Sequence, residues 1–455
     1  MDADGEATFC YVIPEDIMTR LICVSITMAM LCSSLWARDV EASTTHWVND
    51  DATLPVPPGN GCEHAGYTSI QAAVTAATAD DTIRVCAGTY AEQVLIPGSK
   101  NNLTLHSVSH WRAIIKAPPV MPDLTLAIVR VSSSQNVTIR GFEISGPGSN
   151  ICNSLRYGVR VDTGGSANII GNHIVDIRDL PPPPNVSGCQ NGVAILVGRT
   201  AESTTGSALI EGNVIERYQK NGPTVDNTGS FARITHNVIR GVGPTATIAQ
   251  NGIQVSRGAD AIVEHNWVAD NTYTLAPAFG GTGVLLFNPR SVSVAHTTSV
   301  RSDDNFGLYG TTGATIAYDK GEDSTFFDGI FVDSDATNNQ ISHGHFLDNA
   351  MFDCEDLSVG MGTGGTANFW TNNHGETENP PNSGICTDPS GSSSSATIAA
   401  EAGWSPNLDW TLSYPWATSY DWSLAQSTIN DVTALTPLPV PTARGGVRGE
   451  LGSFR

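Results

Sequence analysis

A short phrase recurs four times between Asn168 and Val268, and it restricts the possible fold more than any other feature of the chain. It reads Ile169-Ile170-Gly171-Asn172-His173-Ile174, then Ile210-Glu211-Gly212-Asn213-Val214-Ile215. It returns as Ile234-Thr235-His236-Asn237-Val238-Ile239 and as Val263-Glu264-His265-Asn266-Trp267-Val268. Each copy is an aliphatic residue, two variable positions, Asn, one variable position and a second aliphatic. Residues i and i+2 of a strand share a face, so two inward aliphatics belong an even number apart. Here they are five apart, and something between them must reset the phase. Asn stands at that point, and it tolerates left-handed backbone better than most non-glycine residues. The phrase predicts two short strands meeting at an Asn corner, wound repeatedly as a parallel β-solenoid. Successive Asn side chains are expected to stack at about 4.8 Å and to hydrogen-bond along the axis.

The spacing agrees. Asn172 to Asn213 is 41 residues, Asn213 to Asn237 is 24, and Asn237 to Asn266 is 29. A bare turn of roughly 22 to 24 residues with insertions on one side gives such intervals. Variants of the phrase occur at Ile139–Ile144 and Ile341–Phe346, where Gly344 takes the corner, as glycine does most easily. The rival fold is a β-sandwich, for which the Asn-Gly pairs at 191–192, 221–222 and 251–252 would be hairpin turns. Those pairs open each repeat instead of separating two alternating runs, which favours the solenoid.

Charged residues make up only 15% of the chain, but 23 basic residues face 45 acidic ones, for a net charge of −22. Such a surface repels nucleic acid and anionic membranes, so neither is an expected partner. It also disfavours simple capture of a polyanionic sugar unless a cation bridges the two. The apolar run Leu21–Trp36, followed by Val40-Glu41-Ala42, has the form of a secretory signal with a mature start at Ser43. Residues 1–17 are acidic and unlike the start of a signal, so Met18 is the expected initiator. The apolar run is short for a membrane span, and no stable insertion is expected. An exported, monomeric protein follows, secreted or periplasmic. Of nine cysteines six remain after cleavage, and an even number in an exported chain predicts disulfides. Six allow fifteen connectivities. Pairing nearest neighbours gives Cys62–Cys86, Cys152–Cys189 and Cys354–Cys386, each closing an insertion or a cap.

Thr68 through Ala79 reads as a short amphipathic helix capped by Thr68 or Ser69 and ended by Asp80 and Asp81. Thr82–Val85 is an expected strand, Ala87–Tyr90 a turn, and Val94 with Ile96 a further strand. The helix is suited to plugging the open end of the solenoid. This stretch, Ser69-Ile70-Gln71-Ala72-Ala73-Val74, Asp81-Thr82-Ile83-Arg84-Val85 and Gly88-Thr89-Tyr90-Ala91-Glu92, resembles the N-terminal cap of pectinesterase- and pectate-lyase-like proteins. With the repeats, the resemblance runs from about residue 67 to 386. It implies an all-β, single-stranded right-handed parallel β-helix over 43–386, mostly found in secreted proteins that act on polysaccharides. Residues 387–455 would form a linker and a tail whose Trp404, Trp410, Trp416 and Trp422 recur every six positions. That row would dock on the solenoid wall or stack on sugar. Insertions at 180–188 and 201–207 are expected to gather at one corner and wall a groove.

Two chemistries suit such a groove. Inverting hydrolases set paired carboxylates across the scissile bond. Lyases bridge the substrate carboxylate with Ca²⁺ while a base removes the neighbouring proton. Acidic residues are densest at 303–335, and His343 and His345 follow. Asp303-Asp304 with Gly344-His345 is faintly similar to the polygalacturonase pattern, but the upstream Asn-x-Asp, the second Gly and the Arg-x-Lys are missing. Asp303, Asp304, Asp328 and His345 are the catalytic candidates, and Asp328, Asp333 and Asp335 the candidate Ca²⁺ ligands. Arg301 and Lys320 are further candidate bases. The bland alternative for each Asp is a turn residue capping local backbone. His173, His236 and His265 lie beside the Asn corner in separate turns, an arrangement unsuited to a metal cluster. A polysaccharide in the groove is the expected partner, with a Ca²⁺-dependent lyase or epimerase as the expected enzyme. The opposing reading is a non-catalytic structural, surface or adhesive module.

Overall fold

The computed structural model describes residues 43–180, 187–275 and 280–387. The expected secretory signal, part of the proline insertion and the expected tryptophan tail lie outside them. The described chain is a right-handed parallel β-helix whose strands form three parallel sheets of 12, 10 and 11 strands. One turn shows the order. Gly165–Ile170 lies in the first sheet, His173–Val175 in the second and Val193–Val197 in the third. Gly206–Glu211 then returns to the first sheet directly beside Gly165–Ile170, with Ile169 opposite Ile210. Among the described residues no helix is long and apolar enough to cross a membrane.

The interior is a column of aliphatics contributed once per strand. Ile139, Ile169, Ile210, Ile234 and Val263 fill it from the first sheet. Ile144, Ile174, Ile215, Ile239 and Val268 fill it from the second. Each is fully buried, a change that stabilises by roughly 1.5–3 kcal/mol per side chain before chain entropy is subtracted.

The corner between these sheets differs from expectation in one respect. The left-handed residue is not the Asn but the residue before it: Gly171 (φ 59°), Gly212 (φ 62°), His236 (φ 55°) and His265 (φ 54°). Asn172, Asn213, Asn237 and Asn266 instead turn inward and are buried. Asn213 Oδ1 accepts the Asn172 backbone N–H at 2.9 Å and its Nδ2 at 3.2 Å, and the pattern repeats to Asn237 and Asn266. The expected ladder is therefore present, built by amides and not by kinks. It runs past the repeats the phrase reveals, through Thr297 and then Asp319, whose Oδ1 accepts the Thr297 N–H at 2.7 Å. Gly344 occupies a rung for a different reason from its freedom of φ. A Cβ there would meet the Phe346 ring at 2.3 Å, and the left-handed residue is His343.

Because the residue before each rung points outward, its side chains line up outside the corner. His236, His265, His296, Tyr318 and His343 stack ring on ring, with centroids 5.0, 4.9, 5.1 and 4.7 Å apart.

The N-terminal helix is Ile70–Ala76, shorter than expected. Ser69 Oγ accepts the Ala72 N–H, and the Glu92 carboxylate takes the N–H groups of Ile70 and Gln71 at 2.8 Å each. The helix stops early because Asp81 Oδ2 draws the Thr78 N–H (2.7 Å) and hydroxyl (3.0 Å) out of the helical path. Its buried Ile70, Ala73 and Val74 join the interior column. Gly88–Ala91, expected as a turn, is a strand of the second sheet. The three disulfides are Cys62–Cys86, Cys152–Cys189 and Cys354–Cys386.

Candidate functional site

The insertions do not gather at one corner. The loop 176–192 joins the second sheet to the third, and 198–205 joins the third to the first, so they flank the third sheet on opposite edges. What lies between them is the outer face of that sheet. The Asn-Gly pairs at 221–222 and 251–252 open its strands Asn221–Asp226 and Asn251–Ser256 and are not hairpin turns. The glycines face inward, where a Cβ at Gly222 would strike the Gly252 carbonyl at 2.2 Å and one at Gly252 the Val268 side chain at 2.2 Å. The asparagines take the opposite face.

There they start a chain of amides and hydroxyls. Asn251 Nδ2 donates to Asn221 Oδ1 (3.1 Å), and Asn221 Nδ2 donates to Gln254 Oε1 (2.8 Å) and Thr224 Oγ1 (3.1 Å). Gln254 Nε2 donates to Ser256 Oγ (3.0 Å), which donates to Asp226 Oδ1 (2.9 Å). Arg257 Nη1 also donates to Asp226, and the Thr200 N–H of the flanking loop donates to its other oxygen. Toward the N-terminal turns the same face becomes apolar, with Ala127, Tyr157, Val193 and Leu196 packed together outside the main core. Gln254 is the half-buried member of this chain, while the other amides and hydroxyls and the patch residues are buried. An amide with an aromatic and aliphatic patch behind it is chemistry that suits the hydroxyls and the apolar face of a sugar.

Lys220 stands at the head of the Asn221 strand. Its Nζ donates to the Ala249 carbonyl at 2.7 Å, and burial pushes its ammonium down to about 8. No sequence signal marks it. The depression comes from burial alone, and burial of a residue at the head of a strand has no periodic signature.

The acidic candidates divide. Asp303, Asp304 and Asp328 come together at the far end of the third sheet, all buried. Asp303 Oδ2 accepts the N–H groups of Tyr273 and Gly281 at 2.7 Å each, and its Oδ1 accepts the Thr325 hydroxyl at 2.8 Å. Burial pushes this carboxyl up to about 7 despite those donors, with the neighbouring Asp304 adding to the rise. Asp304 accepts the Asp328 N–H at 3.3 Å, and Asp328 accepts the Phe352 N–H at 3.0 Å. All three hold loops and turns. His345 is elsewhere, on the second sheet, with Nδ1 3.1 Å from Glu322 Oε1, which also binds Lys320 Nζ at 2.8 Å. It cannot share a reacting atom with the aspartates. Arg301 is engaged as well, its Nε 2.9 Å from Asp270.

The candidate Ca²⁺ ligands do not converge. Asp328 is fully buried, Asp333 receives the Gly310 and Asp335 N–H groups, and Asp335 is exposed. Among the described residues only Cys152, Asp179 and Cys189 bring three ligand atoms within 4.8 Å, and those two cysteines form a disulfide. His173 lies on the outer face of the second sheet between Glu143 (3.4 Å) and Glu216 (3.2 Å), with the Trp111 ring 5.1 Å away. Burial works against its charge, but the two carboxylate hydrogen bonds outweigh it and raise its pKa.

No protein family and no curated protein matches the sequence. Among solved structures the chain is similar to the pectate lyase Pel9A at 12% identity, over 71% of this chain and 78% of that one, with a TM-score of 0.43. A GH136 lacto-N-biosidase from Eubacterium ramulus matches at 12% identity over 67% and 64%, with a TM-score of 0.41. The Dettilon tailspike protein matches at 12% identity over 72% and 66%, also at 0.41. The chain spans about two thirds of the length of the last two. What the protein does has to be read from its own side chains.

Proposed function

We propose that this protein engages an extended polysaccharide along the outer face of the third sheet and acts on it as a lyase or epimerase, with Lys220 as the base. The amide and hydroxyl chain Asn221–Asn251–Gln254–Ser256, running into the Tyr157 patch, carries this reading. It offers donors and acceptors at the 4.8 Å step between turns, flanked by loops on both edges. Lys220 adjoins it, and an ammonium that titrates near 8 leaves about a tenth of the molecules with a neutral amine at pH 7. The lysine, and not the aspartates, is the group suited to proton abstraction, since Asp303, Asp304 and Asp328 are committed to backbone N–H groups. Three disulfides support work in an oxidising compartment outside the cytoplasm.

Incubation with a panel of polysaccharides, read by absorbance of unsaturated product and by epimer ratio in NMR, tests the proposal. Turnover is expected to rise with pH through about 8 and to fall at least a hundredfold in Lys220→Gln, with binding retained. The commitment of the acidic candidates favours a second reading, a non-catalytic carbohydrate-binding module. Binding without turnover by the wild-type protein on every polymer of the panel would establish that module and remove Lys220 from a catalytic role.

A further inference from the structure

Basic residues are outnumbered about two to one by acidic ones in this chain, yet four arginines gather at one place on the third sheet. Arg130 and Arg160 are register partners on its outer face, and Leu196 follows in the same row. The guanidinium of Arg160 lies 5.2 Å from the centre of the Tyr157 ring and that of Arg199 lies 6.0 Å from it. Arg156 precedes Tyr157 in the chain. Three carboxylates answer these four cations. Asp162 bridges Arg130 (3.1 Å) and Arg160 (2.6 Å), and Asp123 reaches Arg130 at 3.6 Å. The third, Glu202, comes from the loop beyond the strand and is clasped by Arg160 Nη2 and Arg199 Nη1 at once.

Two facts set Glu202 apart from an ordinary surface ion pair. Its side chain is 38% exposed while that of Arg160 is 1% exposed, so a solvent-accessible partner closes a buried one. And the buried donors are not used up. Among the described residues Arg160 Nη1 and Arg156 Nε have no hydrogen-bond acceptor, although both are removed from water. Unsatisfied buried guanidinium donors are costly, and a fold that retains them beside an aromatic ring and a solvent-accessible carboxylate is prepared for an acceptor from outside.

We infer that Glu202 occupies the place of an anionic group on the glycan, and that Arg160 and Arg199 over Tyr157 form a subsite for a sugar carboxylate or sulfate. This rests on the groove reading given above and names the substrate class: a glycan bearing acidic groups, entered by displacement of Glu202. The ring of such a sugar would lie against Tyr157, and its acidic group would take the donors Glu202 gives up and the ones it leaves empty. The bulk charge of the protein opposes a polyanion, so local arginines are required for one to bind at all.

The test uses the full chain and two substitutions on the exposed side of the clasp, Glu202→Gln and Arg199→Gln, leaving the buried Arg160 in place. Calorimetric titration compares a hexameric oligogalacturonate, a sulfated dextran fragment and the same fragment unsulfated. The expected result is about tenfold tighter binding of the anionic probes to Glu202→Gln and about tenfold weaker binding to Arg199→Gln, with the neutral probe unchanged. The uronate and sulfate arms separate the two anionic chemistries. Equal binding of neutral and anionic probes by all three proteins would overturn the subsite and leave the groove standing. If no oligosaccharide binds but free glucuronate or sulfate raises the melting temperature of Glu202→Gln more than that of the wild type, the anion site stands and the groove falls. Weaker anion binding by Glu202→Gln, in a variant with unchanged circular dichroism, overturns the inference.

Discussion

Asp319 is the residue at which the logic of this fold is most exposed. It takes a rung that asparagine fills in five other turns (Asn172, Asn213, Asn237, Asn266 and Asn373), it is fully buried, and burial holds its carboxyl well above the usual carboxylate range. One oxygen accepts the Thr297 N–H, while the other has no partner among the described residues. The equivalent amide nitrogens of Asn237 and Asn266 donate to the carbonyls of Ile210 and Ile234. Asp319→Asn is therefore expected to stabilise the protein at pH 7 by about 1–3 kcal/mol. A group whose folded pKa is raised gives stability that is present at low pH and is lost as pH rises. The gain of the variant over wild type should thus shrink from pH 7 to pH 4 in urea unfolding. An equal gain at both pH values would mean that Asp319 is charged in the fold.

The corner is the element that the sequence discloses best. A rung that must satisfy a backbone N–H above and a carbonyl below selects an amide, so asparagine recurs and the turn can be counted. Thr297 and Asp319 fill the same rung with other groups, which hid two turns from the pattern. The left-handed residue could not be assigned from the phrase either, because Gly, His and Tyr all occupy it. The groove was less legible still. Its asparagines are visible as Asn-Gly pairs, but only the three-dimensional register shows that they face outward. The aspartates of 303–328 attract notice by density and turn out to hold backbone N–H groups. The ladder's energetic weight can be measured by Asn237→Ala, which strips acceptor and donors from four buried partners and is expected to cost about 3–5 kcal/mol. Asn168→Ala, which removes an outer-face bond to Asn136, should stay within about 0.5 kcal/mol. Comparable losses in chemical unfolding would mean that the inner ladder has no special role.

For the molecule as a whole, a solenoid turns local choices into long-range order, since every turn repeats the outward directions of the one before. That is why an amide floor, an arginine cluster and a line of rings each run along the axis. The line of rings has its own consequence. Burial lowers the proton affinity of His236 and His265, and His236 and His296 each oppose charge on His265 between them. In a proton NMR titration, His236→Gln should raise the pKa of His265, and an unchanged value would show that neighbouring rings do not interact. Of the chain's eleven histidines, three thus share one edge with ring centroids 5.0 and 4.9 Å apart, and His343 follows beyond Tyr318. A proton arriving at His265 therefore meets resistance from three directions, its own burial and the ring on either side, so the middle of the file takes up charge less readily than a free imidazole would.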